Sequence, residues 1–255
     1  MKDIKIVVAT HKPYRMPEDA MYFPLQVGKA NHPDVDLGFA CDDMGDNISA
    51  GNDRFNELTA IYWAWKNLKG DYIGLAHYRR HFQGKRWGDK WERVLGREQA
   101  EALLRKTDVI VPRRRRYYIE TMRSHYEHSP HTVNADIELM GSIIRERQPA
   151  YAPAFSQVMN GMSAHMCNMF IMKRELFDQY CAFLFDVMLE FDRRVDLTGR
   201  RPIQKRFFIS EFMLDVWLRT NGVKYRELPL VYFESQYWLH RIKMLILRRL
   251  GLKRS

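Results

Sequence analysis

"DYIGLAHYRRHF", residues 71–82, changes character in its middle. Tyr72 to Ala76 make an apolar run of strand length, and the next five residues, His77, Tyr78, Arg79, Arg80 and His81, are all aromatic or cationic. A short apolar run bounded by turn signals reads as a strand buried on both faces. Just upstream, Asn56–Asn67 (NELTAIYWAWKN) is predicted as a helix, with Leu58, Ile61, Tyr62 and Trp65 on one face. Asn52 or Asn56 can cap it, and Glu57 stands at its positive end. Further back, Ile4–Ala9 (IKIVVA) reads as a second doubly buried strand, stopped at Thr10-His11-Lys12-Pro13, and Leu37–Ala40 as a short one. Downstream, a helix over Gly96–Lys106 feeds the strand Asp108–Val111. Strands and helices alternating in this way imply right-handed crossovers and a parallel sheet, the nucleotide-binding half of an open α/β fold.

The second half reads as helices over Asn134–Arg147, Lys173–Arg194 and Ile209–Thr220, with strands over Met166–Met172 and Lys224–Phe233. Neither a repeat nor a low-complexity linker interrupts it, so residues 1–236 are expected to form one domain. The 255-residue chain is 46% hydrophobic and 28% charged, ordinary for a globular protein able to bury a sizeable core. It has no apolar run of about eighteen residues and no signal-peptide pattern. Cys41, Cys167 and Cys181 lack metal-ligand spacing, so a reduced, cytoplasmic setting is expected.

The net charge is +10, and six uncompensated Lys and Arg lie from Arg241 onward. In the tail Tyr237–Ser255 (YWLHRIKMLILRRLGLKRS), Leu239, Ile242, Ile246 and Leu250 share a helical face that the cations mostly avoid. That pattern suits a basic amphipathic helix lying on an anionic membrane, or one packed on the domain or on a partner.

Ligands of open α/β sheets sit outside the carboxyl ends of the strands. Three predicted strands end in polar or cationic groups: Thr10-His11-Lys12, His77-Tyr78-Arg79-Arg80, and Arg113 to Arg116. Cations gathered at one edge repel unless an anion joins them, and guanidinium forks match phosphate oxygens two at a time. A diphosphate is therefore the expected ligand, although a solvated loop is the simpler reading of the four-arginine run.

NELTAIYWAWKN, DYIGLAHYRRHF and NMFIMKRELFDQYC, in that order, resemble the domain of unknown function 4422 family, as do IVVATHKPY near the start and SEFMLDVWL near the end. The likeness covers roughly residues 3 to 234. Members of that family are met in capsular and exopolysaccharide clusters and are regarded as glycosyltransferases. The resemblance implies a single glycosyltransferase-A-like α/β domain, with a mostly parallel open sheet flanked by helices. It implies transfer of a hexose, galactose in the first instance, from a nucleotide-sugar donor, UDP-linked by expectation. The acceptor would be a growing polysaccharide or a polyprenyl-diphosphate-linked oligosaccharide of capsule, exopolysaccharide or O-antigen biosynthesis. The chain would then work at the inner face of the cytoplasmic membrane.

Glycosyltransferase-A enzymes commonly hold Mn²⁺ or Mg²⁺ on an Asp-x-Asp motif after an apolar strand. The matching place here carries His77-Tyr78-Arg79. No metal cofactor is therefore expected: His77, Arg79 and Arg80, helped by Lys12, would stabilise the departing phosphate directly. Asp42 and Asp43 are the alternative metal site, or simply an acidic turn. Thr10, His11, Lys12, Asn52, Glu57, His77, Tyr78, Arg79 and Arg80 are the candidate donor-binding residues. Transfer also needs a carboxylate at the reacting centre, and Glu211, followed one helical turn on by Asp215, is the candidate. Either could instead cap or salt-bridge its helix. Asn168 interrupts an apolar run and needs a buried partner, whether sugar, acceptor or backbone. His125, His128, His131 and His165 show no metal-ligand pattern and read as surface or loop residues.

Two other classes compete. A pI near 9.5 suits a nucleic-acid-binding protein, but the cations cluster at strand ends and in one tail instead of interleaving along a stripe, so nucleic acid is not expected as a partner. The missing Asp-x-Asp also suits a non-catalytic sugar-nucleotide-binding subunit.

Overall fold

A computed structural model describes residues 2–234. The tail read above as a membrane helix lies outside the described residues. The strands are β1 Ile4–Thr10, β2 Tyr22–Gln26, β3 Ala40–Cys41, β4 Tyr72–His77, β5 Arg80–Phe82, β6 Val109–Pro112, β7 Arg115–Arg116, β8 Ser163–Ala164, β9 Phe170–Lys173, β10 Arg226–Leu228 and β11 Leu230–Tyr232. The helices are α1 Asn52–Phe55, α2 Leu58–Asn67, α3 Arg97–Leu104, α4 Met122–Glu127, α5 Ala135–Arg147, α6 Ala152–Asn160, α7 Arg174–Arg194 and α8 Met213–Thr220.

The central sheet runs in the order β10-β6-β9-β4-β1-β2-β3. Along this path only β9 opposes the others, pairing antiparallel with β4 and β6, and β5 pairs antiparallel with the end of β4, so the sheet is mostly parallel and open. The expected α/β class therefore holds. Period-two alternation sends Val7, Ala9, Ile73 and Leu75 to one face, where α2, α5, α7 and α8 cover them. Ile6, Val8, Tyr72 and Ala76 face the other way, onto α3. Each such side chain, fully buried, contributes roughly 1.5–3 kcal/mol. Gly74 lets β9 approach β4, since a Cβ there would lie 2.8 Å from the Phe170 carbonyl oxygen. Among the described residues no helix is long and apolar enough to cross a membrane.

Several boundaries differ from expectation. β2 escaped notice because Pro24 breaks its apolar pattern, yet it pairs with both β1 and β3. The short strand expected over Leu37–Ala40 is only Ala40–Cys41. The aromatic helix expected over Asn56–Asn67 starts only at Leu58, after Asn56, whose φ of 52° reverses the chain behind the separate short helix α1. Cys167-Asn168 is a turn, with φ of 82° at Cys167 and 51° at Asn168, so the strand expected from Met166 starts only at Phe170. Ile209–Thr220 opens as a 3-10 turn over Phe208–Phe212 before becoming α8. Pro229 divides the last predicted strand into β10, parallel to β6, and β11, antiparallel to β5.

Candidate functional site

β4 turns through Tyr78-Arg79 straight into β5, and His77 pairs with Arg80. The hairpin distributes its charged cluster by alternation. Tyr78 is buried, with His11 edge-on at 5.3 Å and the Lys12 ammonium 5.0 Å above its ring. Arg79 reaches outward to Glu234 at 3.0 Å. His81 packs among Tyr22, Trp91 and Phe233, away from the cleft.

The carboxyl ends of β1, β2 and β4 open on a cleft of about 360 Å³. His11, Asn52, Glu57, His77, Tyr78 and Arg79 line it, together with Gln26, Asn56 and Arg206. Seven positions singled out in the sequence border one floor: these six, and Lys12 above Tyr78. Thr10 does not serve as a ligand group. It is buried, and its hydroxyl donates to the Lys12 carbonyl at 2.7 Å, bracing the turn that carries His11 and Lys12.

Beyond His77 stands the Cys167-Asn168 turn. The His77 Nε2–H donates to the Cys167 carbonyl at 2.7 Å. Burial, and then the charges of Arg80 and Arg79, hold the His77 ring below its ordinary pKa against the pull of Glu57. It therefore acts as a neutral hydrogen-bonding group and not as the cation expected. On the other side of the turn, the Cys167 backbone N–H donates to Glu211 at 3.2 Å. Asn168, fully buried, donates from Nδ2 to Glu57 at 2.9 Å and to the Ser210 hydroxyl at 3.2 Å. Its Oδ1 is buried with no partner among the described residues. One left-handed turn thus joins Glu57, His77 and Glu211. Burial, reinforced by Glu57, raises the Glu211 carboxyl above its ordinary pKa, although the Cys167 amide, Arg115 and Arg80 oppose it. A carboxyl so placed is a proton acceptor tuned toward neutrality.

Two candidates fall elsewhere. Asp215 is fully buried and receives the His165 backbone N–H at 2.7 Å, its Nδ1 at 2.9 Å and Arg114 at 2.8 Å. Burial alone would raise that carboxyl, but His165 and Arg114 together hold it below its ordinary pKa. It is a structural ion and touches neither cleft nor turn. His165, read as a surface or loop residue, is buried at the centre of this network, with Nε2 at 3.0 Å from Glu227. Asp42 is buried too. Its carboxylate accepts from the Gly28 and Lys29 amides at 3.0 and 3.2 Å and from the Ser49 hydroxyl, so it is already saturated by the loop it braces. That leaves exposed Asp43 alone as the alternative metal ligand. Among the described residues no three His, Cys, Asp or Glu side chains gather to hold a metal ion.

Arg206, Asn56 and Glu234 were missed. Arg206 carried a faint signal, since a basic loop leads into the 3-10 turn that bears Glu211. Asn56 and Glu234 carried none, because only the fold brings them to β4.

A family model described as a domain of unknown function, DUF4422, matches residues 5–222. The chain belongs to the DUF4422 family. Among solved structures, this DUF4422 chain is similar to the apo structure of the bifunctional glycosyltransferase WbbM. The TM-score is 0.85 and the identity 26%, over 91% of this chain and 46% of that one. It thus spans less than half the length of WbbM. A second similar structure is glucosyl-3-phosphoglycerate synthase from Mycobacterium tuberculosis in complex with Mg2+ and uridine-diphosphate. There the TM-score is 0.32 and the identity 8%, over 100% of this chain and 81% of the other, a superposition too loose to bear on the site. No curated protein matches the chain.

Proposed function

We propose that this DUF4422 chain is a glycosyltransferase that moves a sugar from a nucleotide-sugar donor, UDP-galactose in the first instance, to a growing polysaccharide or lipid-linked acceptor. The observation that carries the reading is a cation-bearing cleft at the carboxyl ends of β1, β2 and β4, joined through the Cys167-Asn168 turn to a half-buried carboxyl, Glu211, in a fold similar to that of WbbM. In the proposed arrangement the nucleotide lies along α1 and β2, and its phosphates face Arg79, Arg206 and Lys12. Asn168 offers its unpaired Oδ1 to a sugar hydroxyl. Glu211 takes the proton of the acceptor hydroxyl, whose oxygen bonds to the anomeric carbon as the bond to the diphosphate breaks and UDP departs. Positive side chains preorganised around the phosphates stabilise that departing charge. On this reading no metal is required.

The C-terminal tail would keep the enzyme on an anionic membrane surface, and deleting residues after 236 should move it to the soluble fraction. Thermal-shift measurements against nucleotide sugars test the core claim, because a ligand that binds only the folded state raises the melting temperature. UDP and UDP-sugars should stabilise the chain, and release of UDP on adding acceptor should be detectable. Stabilisation by no nucleotide sugar would refute the proposal. Donor binding without turnover or hydrolysis would favour the non-catalytic subunit.

A further inference from the structure

The four arginines from 113 to 116 have no part in the donor cleft, and the fold separates them by strand alternation. Arg114 turns inward to Asp215, Tyr225 and Glu227. Arg113 and Arg115 face a second cleft, of about 240 Å³, at the carboxyl end of β6. The other lining groups are Pro112, Met166, Pro229, Leu230, the Cys167 turn and Tyr232, so the wall is apolar, carries two guanidinium groups and includes no acid. Among the described residues no carboxylate forms an ion pair with Arg113 or Arg115, and neighbouring Arg80 has a buried Nε with no partner at all. Arg113 is exposed, and half-buried Arg115 has, among the described residues, only the Tyr117 and Tyr232 hydroxyls as partners, so both guanidinium groups can still take an anion.

The position of this cleft gives it meaning. The Cys167-Asn168 turn is the partition between the two clefts: its carbonyl is held by His77 on the donor side, and its amide by Glu211. A ligand in the second cleft would therefore lie against Cys167, the residue whose carbonyl holds His77 and whose amide holds Glu211.

We propose that the cleft between Arg113, Arg115 and Tyr232 is an acceptor subsite that binds a phosphate group carried by the acceptor. The inference rests on the glycosyltransferase reading for the word acceptor, but not for the anion site itself. The guanidinium groups take phosphate oxygens, and Pro112, Met166 and Leu230 provide an apolar wall for whatever the phosphate is attached to. Two sources share this chemistry: an isoprenoid diphosphate headgroup and a soluble phosphorylated saccharide.

The test uses the full chain saturated with UDP, titrated calorimetrically with farnesyl diphosphate and separately with inorganic pyrophosphate. At least one should bind without displacing UDP. The double variant Arg113→Gln, Arg115→Gln should weaken that binding about tenfold or more, the loss expected for charged hydrogen bonds, while UDP affinity stays unchanged. Arg113→Gln alone, on an exposed side chain that folding does not need, should weaken it in the same direction. Tighter binding of farnesyl diphosphate than of pyrophosphate assigns the site to a lipid-linked acceptor, and equal binding to a soluble one; both uphold the subsite. Failure of both probes to bind the UDP-saturated chain overturns the proposal, as does competition with UDP or indifference to the arginine variants. If UDP itself does not bind but pyrophosphate still depends on Arg113 and Arg115, the anion site stands and the donor reading falls.

Discussion

The Arg79 guanidinium donates to the Glu234 carboxylate at 3.0 Å, and the same carboxylate holds Lys12 at 3.3 Å. The two cations closest to the proposed phosphate position are thus neutralised by an acid that sequence order gave no reason to expect. Both pairs are exposed, with side chains 38–45% accessible, so they are weak and can be exchanged for a better anion. On the proposed reading, Glu234 would compete with the donor for these cations. Glu234→Gln should therefore tighten UDP binding about two- to fivefold, read as a lower Kd by calorimetry. Weaker binding in that variant would mean that Glu234 orients the cations for the donor instead of opposing it.

Glu211 is the proposed base, and its hydrogen bond from the Cys167 amide fixes one carboxyl oxygen. Glu211→Gln preserves shape and removes basicity. Turnover should fall by about 10²–10⁴, with UDP affinity and melting temperature little changed. Because burial and Glu57 raise its pKa, the acid limb of the pH–rate profile should lie above the ordinary carboxylate range. Full turnover by the purified variant would remove Glu211 from the mechanism.

The sheet edge that carries the proposed donor site was legible, because β1 and β4 announce themselves as apolar runs and the residues after them must sit at one sheet edge. His11, Lys12, Tyr78 and Arg79 meet there for that reason. What sequence could not supply is direction within a segment. Arg113 and Arg114 are adjacent, yet one faces a cleft and the other a buried acid, a difference set by the path of the chain from β6 to β7 and by partners on distant segments. Asp215 lies in a buried ion network away from the cleft for a similar reason. It lies one turn beyond Glu211, but the chain passes from a 3-10 turn into α8 between them, and the two carboxylates diverge. Glu234 and Asn168 take their importance from partners far off in sequence, which spacing does not reveal.

Removing metal offers a clean check on the proposed electrostatics. With Asp42 saturated by backbone and hydroxyl donors, the proposed mechanism leaves the departing phosphate to Arg79, Arg206 and Lys12. Turnover should survive EDTA unchanged, while Arg79→Gln should lower it about tenfold or more. Loss of turnover in EDTA that Mn²⁺ restores would overturn the metal-independent mechanism.

The Asp215 network should behave as architecture. Removing one partner of a buried ion pair leaves the other uncompensated, at a cost of about 3–5 kcal/mol. Asp215→Ala should show that loss in urea unfolding, because the buried His165 Nδ1 and backbone N–H lose their acceptor and Arg114 keeps only Tyr225, Ser163 and Glu227. A variant of wild-type stability that had lost only turnover would return Asp215 to the catalytic candidates.

His81 gives the fold a pH dependence of its own. Burial drives its ring from the ordinary 6.5 down to about 4, with the Tyr78 carbonyl resisting and His77 adding to the fall. Because the folded pKa lies below the unfolded one, the native state binds fewer protons over that interval, and stability rises with pH there. The contribution is complete above pH 6.5 and is lost as pH falls toward about 4. Its size is on the order of 3 kcal/mol. His81→Phe keeps an aromatic ring among Tyr22, Trp91 and Phe233 and removes the titration. Urea unfolding across that interval should show the wild type losing stability faster than the variant. If the two fell in parallel, protonation elsewhere would account for the acid sensitivity, and His81 would be an ordinary core ring.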